Sequence, residues 1–308
     1  MTQFAPAPLA HPHGDQPQVS TSVVSMFNFA EFAKAAQLNT TVIADSQQLL
    51  QAVEAIACEA GAAILKIYQQ DVAVTYKEDE SPLTAADLAA HQLIQQRLTE
   101  LTPNIPQLSE EAADIDWQQR QHWHFYWLID PLDGTKEFIK RNGEFTVNIA
   151  LIGAGEPLVG VIHAPVLQQT YAAVAGIGAF KTSWNPPSDQ GERAQPQRQP
   201  IRAQAPAAGQ VVRIVGSRSH AQPGMDEVLA QYPAHELVAV GSSLKFCLVA
   251  EGSAHLYPRL GPTMLWDTGA GHVIAVAAGA SVRYDGITGP AYHRQALRNG
   301  NFNVSSME

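Results

Sequence analysis

Apolar positions fall near helical spacing from Ser46 to Gln70, at Leu49, Leu50, Val53, Ile56, Ile64 and Leu65, with Asp45 or Ser46 as the cap. Ser81-Pro82 breaks the chain. A second helix is predicted from Thr84 to about Leu101, with Leu93, Ile94, Leu98 and Leu101 as its buried stripe. From Tyr126 the pattern changes to strand, at 126–129, 144–152, 158–163 and 169–175, with Gly and Pro between the runs. That reads as an antiparallel or mixed sheet. The second half alternates: strand 211–215, helix 223–231, strand 236–240, helix 242–251, strand 254–257, helix 266–279 and strand 281–284. This order predicts a smaller α/β unit with helices against a sheet.

The regions between these patterns suggest the divisions. Residues 1–44 read as a disordered tail, rich at its start in Pro, Ala, His and Gln. Within it, 26–32 is apolar enough for a short helix, with no role assigned. Residues 45–184 form the expected first, α+β unit, 185–210 a Pro-, Gln-, Ala- and Arg-rich loop or linker, and 211–308 the second α/β unit. No internal repeat is visible.

Composition narrows the function classes. The 308 residues carry a net charge of −10, with 45% hydrophobic and 16% charged residues, as in a soluble globular protein. Such an acidic chain argues against a broad nucleic-acid groove. Cys58 and Cys247 both lie in apolar helix-like runs and read as buried thiols, which suits a reducing compartment. No apolar run approaches the roughly 18 residues of a spanning helix, and the first 20 residues lack the pattern of a secretory signal. The expected location is the cytoplasm, with peripheral attachment to the cytoplasmic side of the inner membrane left open.

The chemistry concentrates in WLIDPLDGTKEF, residues 127–138. An apolar run delivers Asp130 to its end, Pro131 interrupts a regular strand, and Asp133, Gly134 and Thr135 follow. Two carboxylates beside a tight turn with free N–H groups suit a hard cation and a phosphate, although Asp also serves in ordinary turns. Glu110 and Glu111 could reach the same sheet edge or form a solvated pair. Asp267 could be a ligand, a first-turn Asp, or both. Asp87, three residues after Thr84, reads more simply as part of a capping box. If these carboxylates converge, bound cations must offset their repulsion, and an oxygen-only set favours Mg²⁺ or Mn²⁺ over Zn²⁺. The eleven histidines show no zinc-ligand spacing.

Several segments together carry a resemblance: SPLTAAD (81–87), LSEE (108–111), WLIDPLDGTKEFIKRNGEFTVNIALI (127–152), GSRSH (216–220), GSSLKFCLVAEG (241–252), LYPRLGPT (256–263) and WDTGAG (266–271). Over about residues 46–304 the chain resembles the inositol monophosphatase-like superfamily, and within it the 3′(2′),5′-bisphosphate nucleotidases of the CysQ type. The resemblance implies a layered α-β-α-β-α sandwich, with a larger N-terminal sheet and a smaller C-terminal α/β unit. It also implies Mg²⁺-dependent removal of the 3′-phosphate of adenosine 3′,5′-bisphosphate, in sulfur metabolism, using two or three ions with Mn²⁺ as a substitute.

By position, Glu110, Asp130, Asp133 and the Leu132 carbonyl resemble metal ligands, and Asp267 the ligand of a second metal. Thr135 and Asp87 resemble the pair that activates the attacking water, with Glu110 also catalytic; this reverses the simpler reading of Asp87. Gly134 and Thr135 would meet phosphate oxygens. Ser217 and His220 would meet the nucleoside, Ser242 and Lys245 an anion at a helix start, and Arg259 the other phosphate. The tail, the long linker and Gly269 in place of a more usual alanine depart from the pattern. An inositol or sugar-phosphate phosphatase and a catalytically silent nucleotide-binding protein are the alternatives. Oligomeric state and the preference among 3′,5′- and 2′,5′-bisphosphates and the phosphosulfate analogue stay open.

Overall fold

The computed structural model describes residues 26–69, 74–76, 82–183, 196–219, 223–287 and 291–307. Among these, seven strands form the larger sheet: Gln107–Ser109, Phe125–Asp133, Thr146–Gly153, Glu156–Ala164, Gln169–Val174, Gly178–Ser183 and Gln197–Ile201, in that spatial order. The first pair is parallel and the rest antiparallel. The strands at the centre are buried on both faces, which explains their continuous rather than alternating apolar runs.

Helices cover both faces. On one, helix Ser46–Tyr68 comes so close to strand Glu156–Ala164 that a Cβ at Gly61 would lie 2.5 Å from His163. On the other, a Cβ at Gly160 would lie 2.4 Å from Val273 and 2.7 Å from the Ala270 carbonyl, so helix Gly269–Ala277 packs directly on the backbone there. Gly160 and His163 are three residues apart on one strand, which puts them on opposite faces. Helix Leu244–Ala250 lies against Gly269–Ala277, and a second, five-stranded sheet closes the stack. Its order is His235–Val240, Val212–Ser217, Leu256–Arg259, Phe302–Ser305, Ser281–Tyr284. The first three strands run parallel. The layered α/β sandwich is therefore as expected.

The tail expectation needs correction. Residues 1–25 lie outside the described residues, but 26–44 are structured. Helix Phe29–Ala36 is capped by Asn28, whose side chain accepts from the Glu31 N–H at 3.2 Å. Phe32 is 0% exposed and packs edge-on against Phe125 and Trp127, with ring centroids 5.5 and 6.4 Å away. The reason is an apolar stripe, Phe29, Phe32, Ala33 and Ala36, at i, i+3, i+4 and i+7.

The linker expectation needs a similar correction. Part of 185–210 is strand Gln197–Ile201, paired antiparallel with Gly178–Ser183. The strand predicted at 126–129 runs through Pro131 to Asp133.

Candidate active site

Strand Phe125–Asp133 positions the acidic end of the site. Asp130 pairs with Asn148 and Asp133 with Thr146, so two residues, Pro131 and Leu132, oppose the single Val147 on the neighbouring strand. This bulge accommodates Pro131, which has no N–H to give the ladder, and turns the chain towards the cavity. Asp130 accepts the Leu132 N–H at 3.2 Å. Gly134 then takes φ +96°, a conformation that strains any other residue, and leads into helix Thr135–Ile139.

A cavity of about 440 Å³ opens at this point. Its acidic wall carries Asp87, Glu110, Asp130, Asp133 and Asp267, together with Leu132, Gly134 and Thr135. Asp87 lies in the first turn of helix Ala85–Leu101 and is 3% exposed. Glu110 opens a short 3₁₀ turn after Gln107–Ser109. Asp267 accepts the Met264 N–H at 2.8 Å.

Burial pushes the Asp130 carboxyl well above the usual carboxylate range, and the charges of Glu110, Asp133, Asp267 and Asp87 push it further. Asp267 is raised in the same way, by burial and then by Asp133 and Glu110. Asp133 is also raised by burial, opposed by Lys245 and by the Ser243 N–H. Among the described residues, no three His, Cys, Asp or Glu side chains converge on one ligand point. The carboxylates line a wall instead. Buried oxygen donors that repel one another fit hard divalent cations, and the histidine-free wall does not fit zinc.

Further polar lining comes from the C-terminal unit, which also supplies Asp267. Ser217 ends strand Val212–Ser217, Ser242 follows strand His235–Val240, and Arg259 ends strand Leu256–Arg259. All three lie at the carboxyl ends of parallel strands, where α/β sheets commonly bind ligands. Lys245, 5% exposed, donates to the Ser242 and Val240 carbonyls and sits 5.6 Å from the Tyr257 ring centroid. Burial lowers its ammonium to about 8, against the pull of Asp133. The Arg259 guanidinium donates to the Pro262 carbonyl at 2.9 Å. The structure thus brings the expected site residues to one cavity, except His220, which lies outside the described residues, and the candidate Glu111, which is not part of the lining.

Residues 45–302 match the model of the inositol monophosphatase family. The chain belongs to the inositol monophosphatase family. It is 50% identical over 260 residues to the 3′(2′),5′-bisphosphate nucleotidase CysQ of Salmonella typhimurium, covering 83% of this chain and 99% of that protein. Its identity to the Escherichia coli K12 protein of the same name is 48% over 260 residues, with the same coverage. The crystal structure of CysQ from Bacteroides thetaiotaomicron, a bacterial member of the inositol monophosphatase family, superposes with a TM-score of 0.72 at 43% identity. The match covers 85% of this chain and 98% of that one. The suhB extragenic suppressor protein of Bartonella henselae shares the fold, with a TM-score of 0.66 at 23% identity over 83% of this chain and 93% of that one.

In this inositol monophosphatase family member, several cavity residues escaped the sequence reading. Glu137 and Lys136 follow Thr135 in the segment already singled out; both line the cavity. Ser243 was hidden beside Ser242. Its N–H donates to Asp133 at 2.6 Å, and its hydroxyl donates to Asn148 Oδ1 at 2.8 Å and shares a 2.8 Å bond with Thr146. The polar positions Thr146 and Asn148, two apart in an otherwise apolar strand, were the available signal. Arg298 also reaches the cavity, from the Thr263–Met264/Arg298–Asn299 ladder.

Proposed function

We propose that this chain hydrolyses adenosine 3′,5′-bisphosphate to AMP and phosphate. The observation that carries this reading is a single cavity lined both by carboxylates and by Lys245 and Arg259. A substrate with two phosphates would place one at the carboxylates and one at the two cations. Relatives at 48–50% identity over nearly their whole length are named 3′(2′),5′-bisphosphate nucleotidase, in agreement with this chemistry.

Glu110, Asp130, Asp133 and the Leu132 carbonyl are the proposed holders of Mg²⁺, with Asp267 holding a further ion. Two or three ions, replaceable by Mn²⁺, match the number of carboxylates. Bound Mg²⁺ supplies Lewis acidity towards phosphoryl oxygens and makes water a better nucleophile. Asp87 and the Thr135 hydroxyl orient the water and take up its proton, while Glu110 shares the acid–base work. The Gly134 and Thr135 N–H groups hold phosphate oxygens. Water adds to phosphorus, the bond to the 3′-oxygen breaks, and a proton completes the released hydroxyl. Ser242, Lys245 and Arg259 hold the 5′-phosphate, and Ser217 and His220 the nucleoside.

On this reading 45–184 supplies the metal-binding residues other than Asp267, and 211–308 supplies the nucleotide contacts and Asp267. No helix among the described residues is long and apolar enough to cross a membrane; the proposed location is the cytoplasm. Product analysis tests the regiochemistry. With Mg²⁺, the expected products are phosphate and adenosine 5′-phosphate; adenosine 3′-phosphate would reverse the assignment of the two phosphate positions.

A further inference from the structure

Two loops carry serines to the cavity, and both are tied to a single carboxylate outside it. Glu144 lies two residues before Thr146, the strand partner of Asp133. The Arg218 guanidinium grips it with two bonds: Nε donates to Oε2 at 2.7 Å and Nη2 to Oε1 at 2.8 Å. The Gly241 N–H donates to Oε2 at 2.8 Å. Arg218 follows Ser217, and Gly241 precedes Ser242. Arg218 Nη2 also donates to the Ala239 carbonyl at 2.6 Å and its backbone N–H to the Val240 carbonyl at 3.3 Å, which locks the two loops to each other.

Packing reinforces this tie. A Cβ at Gly241 would lie 2.6 Å from the Glu137 side chain and 2.8 Å from the Glu144 carbonyl, so the loop approaches the catalytic half as closely as backbone allows. Glu144 does not line the cavity, and neither does Arg218. Their bond joins the acidic half, through Thr146 and Asp133, to the half that carries Ser217, Ser242 and Lys245. A bidentate guanidinium–carboxylate pair also fixes orientation, which a single point contact does not.

We infer that Glu144 is a positioning residue that sets the span between the two phosphate positions of the cavity, and so the fit of a substrate bearing two phosphates. It touches neither substrate nor reacting atoms. It acts by holding the Ser217 and Ser242 loops at a fixed distance from the Asp130–Asp133 turn. Because this rests on the proposed nucleotidase reading, the test must separate the two.

The experiment compares wild type, Glu144→Gln, Arg218→Met and the double variant, each with Mg²⁺. The substrates are adenosine 3′,5′-bisphosphate and p-nitrophenyl phosphate, which has only one phosphate and no second contact to make. For the bisphosphate, each single variant should raise KM about tenfold while kcat stays within about twofold. The double variant should be no worse than either single one, because both break one bridge. Turnover of p-nitrophenyl phosphate should be unchanged. Arg218 is nearly half exposed, so Arg218→Met tests the bridge even if the substitution at Glu144 fails to fold. Equal losses on both substrates, a fall in kcat with KM unchanged, or losses that multiply in the double variant would overturn the inference alone. A wild-type protein that leaves the bisphosphate intact would overturn the functional reading and the inference together.

Discussion

Asp130→Asn should make the cation-free protein more stable and the enzyme nearly inactive. Asp130 is 1% exposed, and burial and four neighbouring carboxylates all disfavour its charge. Its proton is therefore held more tightly in the folded state than in the unfolded one. Any stability from the protonated form is present at low pH and is lost as pH rises above the carboxylate range. At pH 7.5 without divalent cations, the native carboxylate is a cost. Asparagine removes the charge and keeps an oxygen for the Leu132 N–H.

The gain from removing such a buried, uncompensated charge is about 2 kcal/mol. For a chain of this size that raises Tm by about 3 °C. Saturating Mg²⁺ should reverse the order, since ligand binding stabilises the wild type by an amount the variant cannot match. Loss of one ion's contribution, about 4 kcal/mol, should lower kcat about 10³-fold. Thermal scans with EDTA and with Mg²⁺, beside turnover measurements, give all three quantities. The reasoning fails if the EDTA-treated variant is less stable than wild type, if Mg²⁺ shifts both proteins equally, or if turnover survives.

Other substitutions probe the remaining parts of the account. Phe32→Ala should cost about 3 kcal/mol in denaturant unfolding, because it opens a void against Phe125 and Trp127; a cost near zero would return 26–44 to the status of a loose tail. Deleting residues 1–44 should lower Tm for the same reason. Lys245→Gln should raise KM for adenosine 3′,5′-bisphosphate at least about tenfold, through loss of a charged hydrogen-bond donor, while sparing monophosphate esters; equal effects on both would detach Lys245 from the second phosphate.

The sequence revealed elements with strong local periodicity and the one segment whose chemistry is contiguous. Helix Ser46–Tyr68 and the run at 126–129 were legible because burial imposes apolar spacing. Helix Phe29–Ala36 carries a weaker signal, because its stripe of Phe29, Phe32, Ala33 and Ala36 spans only two turns and adjoins a Pro-rich segment. Strand Gln197–Ile201 is polar and four of its five residues are exposed, so it carries no apolar signal to find. Asp130 and Asp133 announced themselves by their turn. Asp87 and Asp267 did not: each is a first-turn or cap-like Asp locally, and only the meeting of distant elements gives it another role. Ser243 illustrates the same limit, since its link to Asp133 joins residues 110 apart in sequence.

The most direct test of the central claim compares kcat/KM for adenosine 3′,5′-bisphosphate and inositol 1-phosphate, each with Mg²⁺ and with EDTA. A cavity lined by both carboxylates and cations predicts strong preference for the bisphosphate and loss of both activities in EDTA, restored by Mg²⁺. Faster turnover of the inositol ester, or turnover indifferent to the chelator, would contradict it.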